Sequence, residues 1–332
     1  MKKILLAVTA ALAITSCSQN EEFENAGQKA EINFGSIVSN STRATITDDG
    51  NFDTFTVNGY KTSSIMGSEV TLTSGFINNE VVNKTEGVWK HDKVFYWPIN
   101  YVQFFATSPQ QTLTVPGAGY PEFSYTVGAI DTQKDLLVAN LKDQQKSDAA
   151  VQLTFQHALT QVNFSIKGDT KGFDYKVTKL IIKGVDGTGL FKFDGTDNVG
   201  GWTPDAKAAG IYETSYVEGS EIALTDVADD LSTVVKFDVD PKKSLFMLLP
   251  QTLQAGAEVA ITYTAAPTGK TDATDLTFTG TKKVALTGTW AASKKVRYTL
   301  TLTSDAKEIT IGDPSVSGWG EPETNTPLTP SN

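Results

Sequence analysis

The sequence predicts an all-β protein built from two tandem antiparallel β-sandwich domains. Three observations carry this. Short runs alternate apolar with polar residues at the two-residue period of a half-buried strand. Gly, Asp, Asn and Pro punctuate the runs, the pattern of an antiparallel sandwich. Thr, Gly, Val and aromatic residues are plentiful while amphipathic helical stretches are nearly absent, a composition that favours strands and turns. The chain has 332 residues. Roughly 300 remain without leader and tether, enough for about two domains.

Residues 1–16 read as a secretory signal: Lys2 and Lys3, then an apolar run from Ile4 to Ile14. That run is shorter than the ~20 residues that span a bilayer comfortably. Ile14-Thr15-Ser16-Cys17 resembles a bacterial lipobox, with Cys17 the residue that would carry lipid after cleavage. An ordinary signal followed by a chance Cys is the plainer alternative. Cys17 is the only cysteine. A secreted chain with one Cys has no internal disulfide, so the fold relies on its core. Residues 17–29, with Glu21, Glu22 and Glu24, read as a flexible acidic tether. The net charge of −10 argues against nucleic acid, whose phosphates need a basic footprint.

The N-terminal domain is expected over 30–147. Ile32 and Phe34 alternate with Glu31 and Asn33 as an opening strand, and Ser39-Asn40-Ser41-Thr42 reads as an exposed loop. Arg43 follows directly. It has two readings: a surface loop beside an edge strand, or a site for a trypsin-like protease to cut before Ala44. Phe52–Tyr60 alternates, and Val70 and Leu72 begin another strand candidate. The densest aromatic block holds Trp89, Phe95, Tyr96, Trp97, Tyr101, Phe104 and Phe105. Pro98 divides it into strands Val94–Trp97 and Tyr101–Thr107. These rings fill a sandwich core or stack on sugars in an open groove; large aromatics dominate cores. Asp135–Ala139 reads as a buried strand, and the polar run Lys142–Asp148 marks the domain boundary.

The C-terminal domain is expected over 148–306. In Val151–Lys167, Leu153 and Phe155 share a face, and the pattern resumes out of phase with Val162, Phe164 and Ile166. That change predicts a bulge or bend near His157. Further strands are expected at Tyr175–Lys183, Gly189–Phe193, Val234–Val239, Leu245–Leu249, Glu258–Tyr263, Asp275–Thr279 and, most clearly, Lys295–Thr303. Residues 307–332 contain a last strand candidate, Lys307–Trp319, and a Pro-rich tail with little to bury, expected to be disordered.

These features in this order resemble the fimbrillin family of Bacteroidetes, the subunits of type V pili. The resemblance rests on Ile14–Cys17, Thr42-Arg43-Ala44, V-F-Y-W-P followed by F-F-A-T-S-P, D-L-L-V-A, L-T-F-Q-H-A-L-T-Q-V-N-F, G-L-F, and K-K-V-R-Y-T-L-T-L to I-G-D-P-S-V-S-G-W. The acidic cluster after Cys17 also resembles the surface-export signal of lipoproteins from that phylum. The family implies two transthyretin-like, Greek-key sandwiches and an outer-membrane lipoprotein precursor destined for the fimbrium at the cell surface. It implies a trypsin-like cut after Arg43 and assembly by strand exchange. Ile32, Phe34, Ile37 and Val38 then form the displaced N-terminal strand, and Ile309, Ile311, Val316 and Trp319 of a neighbour supply the replacement. Head-to-tail joints of this kind do not close and build a filament. One departure stands out: the chain continues past Trp319 rich in Pro, which cannot pair as a long regular strand. That leaves a shaft subunit and a tip or accessory subunit both open.

The implied partners are other pilus subunits, the processing protease and the outer membrane through the lipid anchor, with a host or bacterial surface ligand beyond them. No cofactor is implied. His91 and His157 lack metal-ligand spacing. The cluster of Asp226, Asp229 and Asp230 and that of Asp194, Asp197 and Asn198 do not match a calcium loop. There is no phosphate loop and no G-x-S-x-G, so an enzyme ranks last. The rival to a pilus subunit is a surface-anchored glycan-binding lipoprotein. Exposed, coplanar tryptophans among Trp89, Trp97, Trp202, Trp290 and Trp319 would favour it; buried ones favour the pilus subunit.

Overall fold

The computed structural model describes residues 30–38, 52–73, 75–130, 132–168, 172–195, 199–205, 209–215, 222–224, 229–230, 246–269, 278–303 and 308–319. Among these residues the regular structure is all strand. The first half supplies β1 (Phe34–Val38), β2 (Thr54–Thr62), β3 (Ile77–Thr85), β4 (Val88–Lys90), β5 (Tyr101–Ser108), β6 (Glu122–Thr126), β7 (Leu137–Gln144) and β8 (Val151–His157). The second half supplies β9 (Thr160–Gly168), β10 (Phe173–Asp186), β11 (Thr188–Phe193), β12 (Gly200–Pro204), β13 (Ala209–Ser215), β14 (Ile222–Ala223), β15 (Asp229–Asp230), β16 (Phe246–Leu248) and β17 (Gln251–Thr252). It closes with β18 (Glu258–Pro267), β19 (Phe278–Ala285), β20 (Thr289–Trp290), β21 (Lys294–Leu302), β22 (Ile309–Ile311) and β23 (Ser315–Gly318).

The first sheet runs β1-β8-β7-β5-β2-β3-β4, so the N-terminal strand lies at one edge. The central strands β2 and β5 of this sheet are buried on both faces, and β5 shows why. Val102, Phe104 and Ala106 enter a cluster with Ile32, Phe34, Phe55 and Phe155. Phe105, pointing the other way, joins a second cluster with Tyr60, Phe123 and Phe193. Strand side chains alternate faces, so a strand apolar at every position must be covered on both. The cover on the second side is the sheet β12-β11-β6, in which β6 from the first half pairs with β11 from the second. The same cluster continues to Val296, Tyr298 and Trp319, so one core joins both halves of the chain.

The remaining sheets are β13-β10-β18-β19, with β14 beside β10, the short pair β17-β20, and β15-β9-β21-β22, with β16 beside β9 and β23 beside β21. Pairing is mainly antiparallel, with two parallel exceptions to the expected pattern: β1 with β8 and β21 with β9. The polar run at Lys142–Asp148 covers the end of β7 and the start of its link to β8, and the two strands pair with each other. The chain leaves the first sheet later, after His157. There Ala158 N donates to Leu136 O at 2.7 Å and the Trp202 indole N–H donates to Ala158 O at 2.7 Å. The out-of-phase pattern near His157, expected as a bulge or bend, is therefore a crossing between sheets. Val70–Leu72 forms no strand. The expected strand Val234–Val239 lies outside the described residues, as does the tail beyond Trp319.

Candidate functional site

The N-terminal strand sits in a groove with two walls. On one side β1 pairs in parallel with β8, Phe34 opposite Val151 through Val38 opposite Phe155. The Val151 N–H donates to Asn33 O at 2.7 Å just ahead of that ladder. On the other side the segment 91–97 lies as a strap. Ile32 N donates to Phe95 O at 2.8 Å, Trp97 N donates to Ala30 O at 3.1 Å, and Glu31 bridges Tyr96 in antiparallel sense. Ile32 is 0 % exposed, Phe34 4 % and Val38 5 %. The Phe34 ring meets Phe55, His91 and Phe104 edge-on at 6.4, 5.5 and 5.7 Å, the arrangement the ring quadrupole favours.

The strap is fastened by charge. Glu80 on β3 has a side chain only 5 % exposed and takes the Lys93 ammonium at 3.0 Å. Its other oxygen accepts the Lys93 backbone N–H at 3.2 Å. Burying a carboxyl group this deeply is costly unless it is paired and hydrogen-bonded. His91 then places one ring nitrogen 2.6 Å from Lys93 O and the other 3.2 Å from Ile32 O. A run of polar contacts thus links buried Glu80 to the backbone of the N-terminal strand.

The C-terminal segment lies elsewhere. β22 pairs with β21 through Ile309 opposite Leu302 and Ile311 opposite Leu300. β23 pairs with the start of β21, Val296 opposite Val316. Trp319 is buried and stacks on the His157 ring at 4.3 Å and 14°. His157 Nδ1 is 2.8 Å from Asp135 Oδ2, both side chains buried. Burial, with the Asp135 charge adding to it, pushes the nearby Tyr125 hydroxyl up to about 12, so this phenol stays neutral.

Of the residues singled out from sequence, Ile32, Phe34 and Val38 meet in the groove. Ile37 does not: it faces outward, 54 % exposed, because a strand that buries Phe34 and Val38 turns position 37 away. Ile309 is buried, while Ile311 and Val316 are partly so. Cys17, Arg43 and Ala44 lie outside the described residues. The tryptophans form no exposed row. Trp89 and Trp97 pack against the first cluster, Trp202 against the second, and Trp290 and Trp319 within it. Sequence reasoning missed Glu80, Lys93 and His91. The available signal was the alternation in 94–97, where Phe95 and Trp97 face inward and Val94 and Tyr96 outward.

A family model described as fimbrillin-like matches residues 42–319. The chain is 28% identical to the fimbrium subunit Fim1C of Phocaeicola vulgatus over 96% of both chains. The fold is similar to a crystal structure of a fimbrial protein from Bacteroides vulgatus, with TM-score 0.62 and 21% identity over 86% of this chain and 99% of that one. A cell adhesion protein structure from Bacteroides uniformis matches with TM-score 0.47 and 16% identity, covering 89% of this chain and 100% of that one. The match of the family model over most of the length decides the matter: this chain belongs to the fimbrillin-like family.

Proposed function

We propose that the protein is a structural and adhesive fimbrial subunit, exported as a lipoprotein through Cys17 and activated by a cut between Arg43 and Ala44. It then polymerises by donor-strand exchange. The carrying observation is β1 itself, an edge strand that plugs a deep apolar groove and ends five residues ahead of Arg43 in the sequence. Removing it would bare the pockets of Ile32, Phe34 and Val38, each worth roughly 1.5–3 kcal/mol when filled. It would also free one edge of β8. A groove with an unpaired edge recruits another strand. The C-terminal segment, with Ile309, Ile311, Val316 and Trp319, is the donor in this reading. The partners are further subunits, the processing protease and the outer membrane. The chain is read as two sandwich units behind the signal and tether.

Substituting Arg43→Ala tests this directly. Limited trypsin digestion and native gels compare it with the parent. Intact monomer is the expected result for Arg43→Ala, while the cut parent forms ladders. Ladders from an uncut Arg43→Ala protein would refute the mechanism.

A further inference from the structure

The sequence E-I-x-Φ-G, with Φ apolar, occurs twice in the chain: Glu31-Ile32-Asn33-Phe34-Gly35 and Glu308-Ile309-Thr310-Ile311-Gly312. Both copies are strand-forming, one leading into β1 and the other spanning β22. Their exposure runs in step. The Glu and the third residue are exposed, the first Ile is buried in each, and the Φ residue is buried or partly so. We infer that Glu308–Gly312 of a second copy of this chain is a mimic of Glu31–Gly35 and enters the groove in that register. This deepens the strand-exchange reading and rests on it.

The register makes concrete assignments. Ile309 takes the pocket of Ile32, and its N–H replaces the one now given to Phe95 O. Ile311 takes the place of Phe34, opposite Val151, among Phe55, His91 and Phe104. Thr310 O stands where Asn33 O accepts from Val151 N. Gly312 stands opposite Gln152, where a Cβ at Gly35 would come within 2.3–2.7 Å of the Gln152 side chain. Glycine at both positions leaves that side chain undisturbed. Asp313 follows opposite Leu153, and Pro314 falls on the position of exposed Ile37, where it has no N–H to pair.

The mimic is weaker than the strand it replaces. Ile311 fills less of the ring pocket than Phe34, pairing stops at Pro314, and Ser315 stands in the place of buried Val38. The resident strand also competes from within the same molecule, at a high effective concentration. The donor therefore enters only once the resident strand is cut free. On this reading an uncut subunit stays monomeric.

Disulfide trapping reads the register. The full-length chain carrying Cys17→Ser is prepared in two forms, one with Gln152→Cys and one with Gly312→Cys. The two are mixed, cut with trypsin and oxidised. A disulfide needs Cα atoms within about 7 Å, and a slip of two residues moves the partner by ~6.6 Å. Cross-linked dimers should exceed those from Thr310→Cys or Val316→Cys by on the order of tenfold. Uncut protein should give none. Ladders that form with the dominant cross-link at Thr310 or Val316 would overturn this register and leave strand exchange standing. Absence of both ladders and cross-links after complete cutting would overturn strand exchange and the register together. A second measurement needs no new cysteine. A peptide of residues 308–313 should slow ladder growth of the cut parent, and one with Ile309 and Ile311 both changed to Asp should not; equal effects of the two would also overturn the register.

Discussion

The two ends of the described chain are both strands laid on a sheet edge, but their seats differ in chemistry. β1 enters a seat lined mainly by aromatic and aliphatic side chains that take Ile32, Phe34 and Val38, with Ser36 Oγ and Trp97 Nε1 buried beside them without a protein hydrogen-bond partner. β23 enters a mixed one. Among the described residues, Ser317 Oγ, Trp319 Nε1, His157 Nε2 and Asp135 Oδ1 are buried there without a protein hydrogen-bond partner. An unsatisfied buried polar atom costs about 1–3 kcal/mol. Both ends thus give part of the burial gain back, the C-terminal one at four such atoms and the N-terminal one at two among the described residues. A strand meant to hold a precursor closed benefits from a seat like that of β1, and a strand meant to leave its own subunit benefits from one like that of β23.

Substitutions at the two ends sharpen the contrast. Phe34→Ala should destabilise the uncut protein by about 3–5 kcal/mol through loss of a buried ring. Trp319→Phe keeps a ring on His157 and removes the unpartnered indole N–H, so its cost should stay below about 1.5 kcal/mol. Urea unfolding of each variant measures both. The Phe34 effect should vanish once the strand has been cut away and washed out. An equal loss at Trp319 and Phe34 would break the comparison, because it would make the C-terminal seat as well satisfied as the N-terminal one.

The strap gives the next largest effect. Lys93→Met removes the ammonium from Glu80 while leaving the backbone N–H in place. The buried carboxylate loses its countercharge, at about 1–3 kcal/mol. The loss should concentrate at the N-terminal strand. Amide hydrogen exchange should quicken at Ile32 and Trp97, whose N–H groups pair across strap and strand, before it does in β9 and β21.

Much of this was legible in the sequence where the physics is local. The alternation of Ile32 and Phe34 marked the buried strand, and Val296, Tyr298, Leu300 and Leu302 marked β21. The same period carried four residues further, to Val38, would have placed Ile37 outside, since adjacent Ile37 and Val38 point to opposite faces. What stayed hidden depends on partners far apart in the chain. The pairing of Phe95 with Ile32, the parallel pairing of β21 with β9, and the joining of β6 to β11 leave no periodic trace. The crossing at His157 showed itself only as a loss of phase, which a bulge would also produce. The strap was half visible: its aromatic alternation stands in the sequence, but its grip on the N-terminal strand requires Glu80 from another strand.

The smallest effect separates these seats from the solvent-facing sheet of the second half. Glu258 on β18 accepts from Lys183 at 2.8 Å and lies 3.4 Å from the Lys283 ammonium. The hydrogen bond from Lys183, with the charges of Lys183 and Lys283, holds its carboxyl below the usual value of 4.5. Burial pushes the other way without cancelling them. A folded-state pKa below the unfolded one means that the carboxylate stabilises the fold above the ordinary glutamate range. That stabilisation is lost as pH falls through the lowered value. The group lies on the exposed side of the sheet, so solvent screening keeps the gain to at most about 0.5 kcal/mol. Glu258→Gln should therefore shift the urea midpoint slightly at about pH 6, and the shift should fade toward about pH 3 and in high salt. The Phe34→Ala deficit, being apolar, should persist across that range. A Glu258→Gln effect that matched it in size, or that grew on acidification, would show that the outer sheet face and not the groove carries the larger share of the stability.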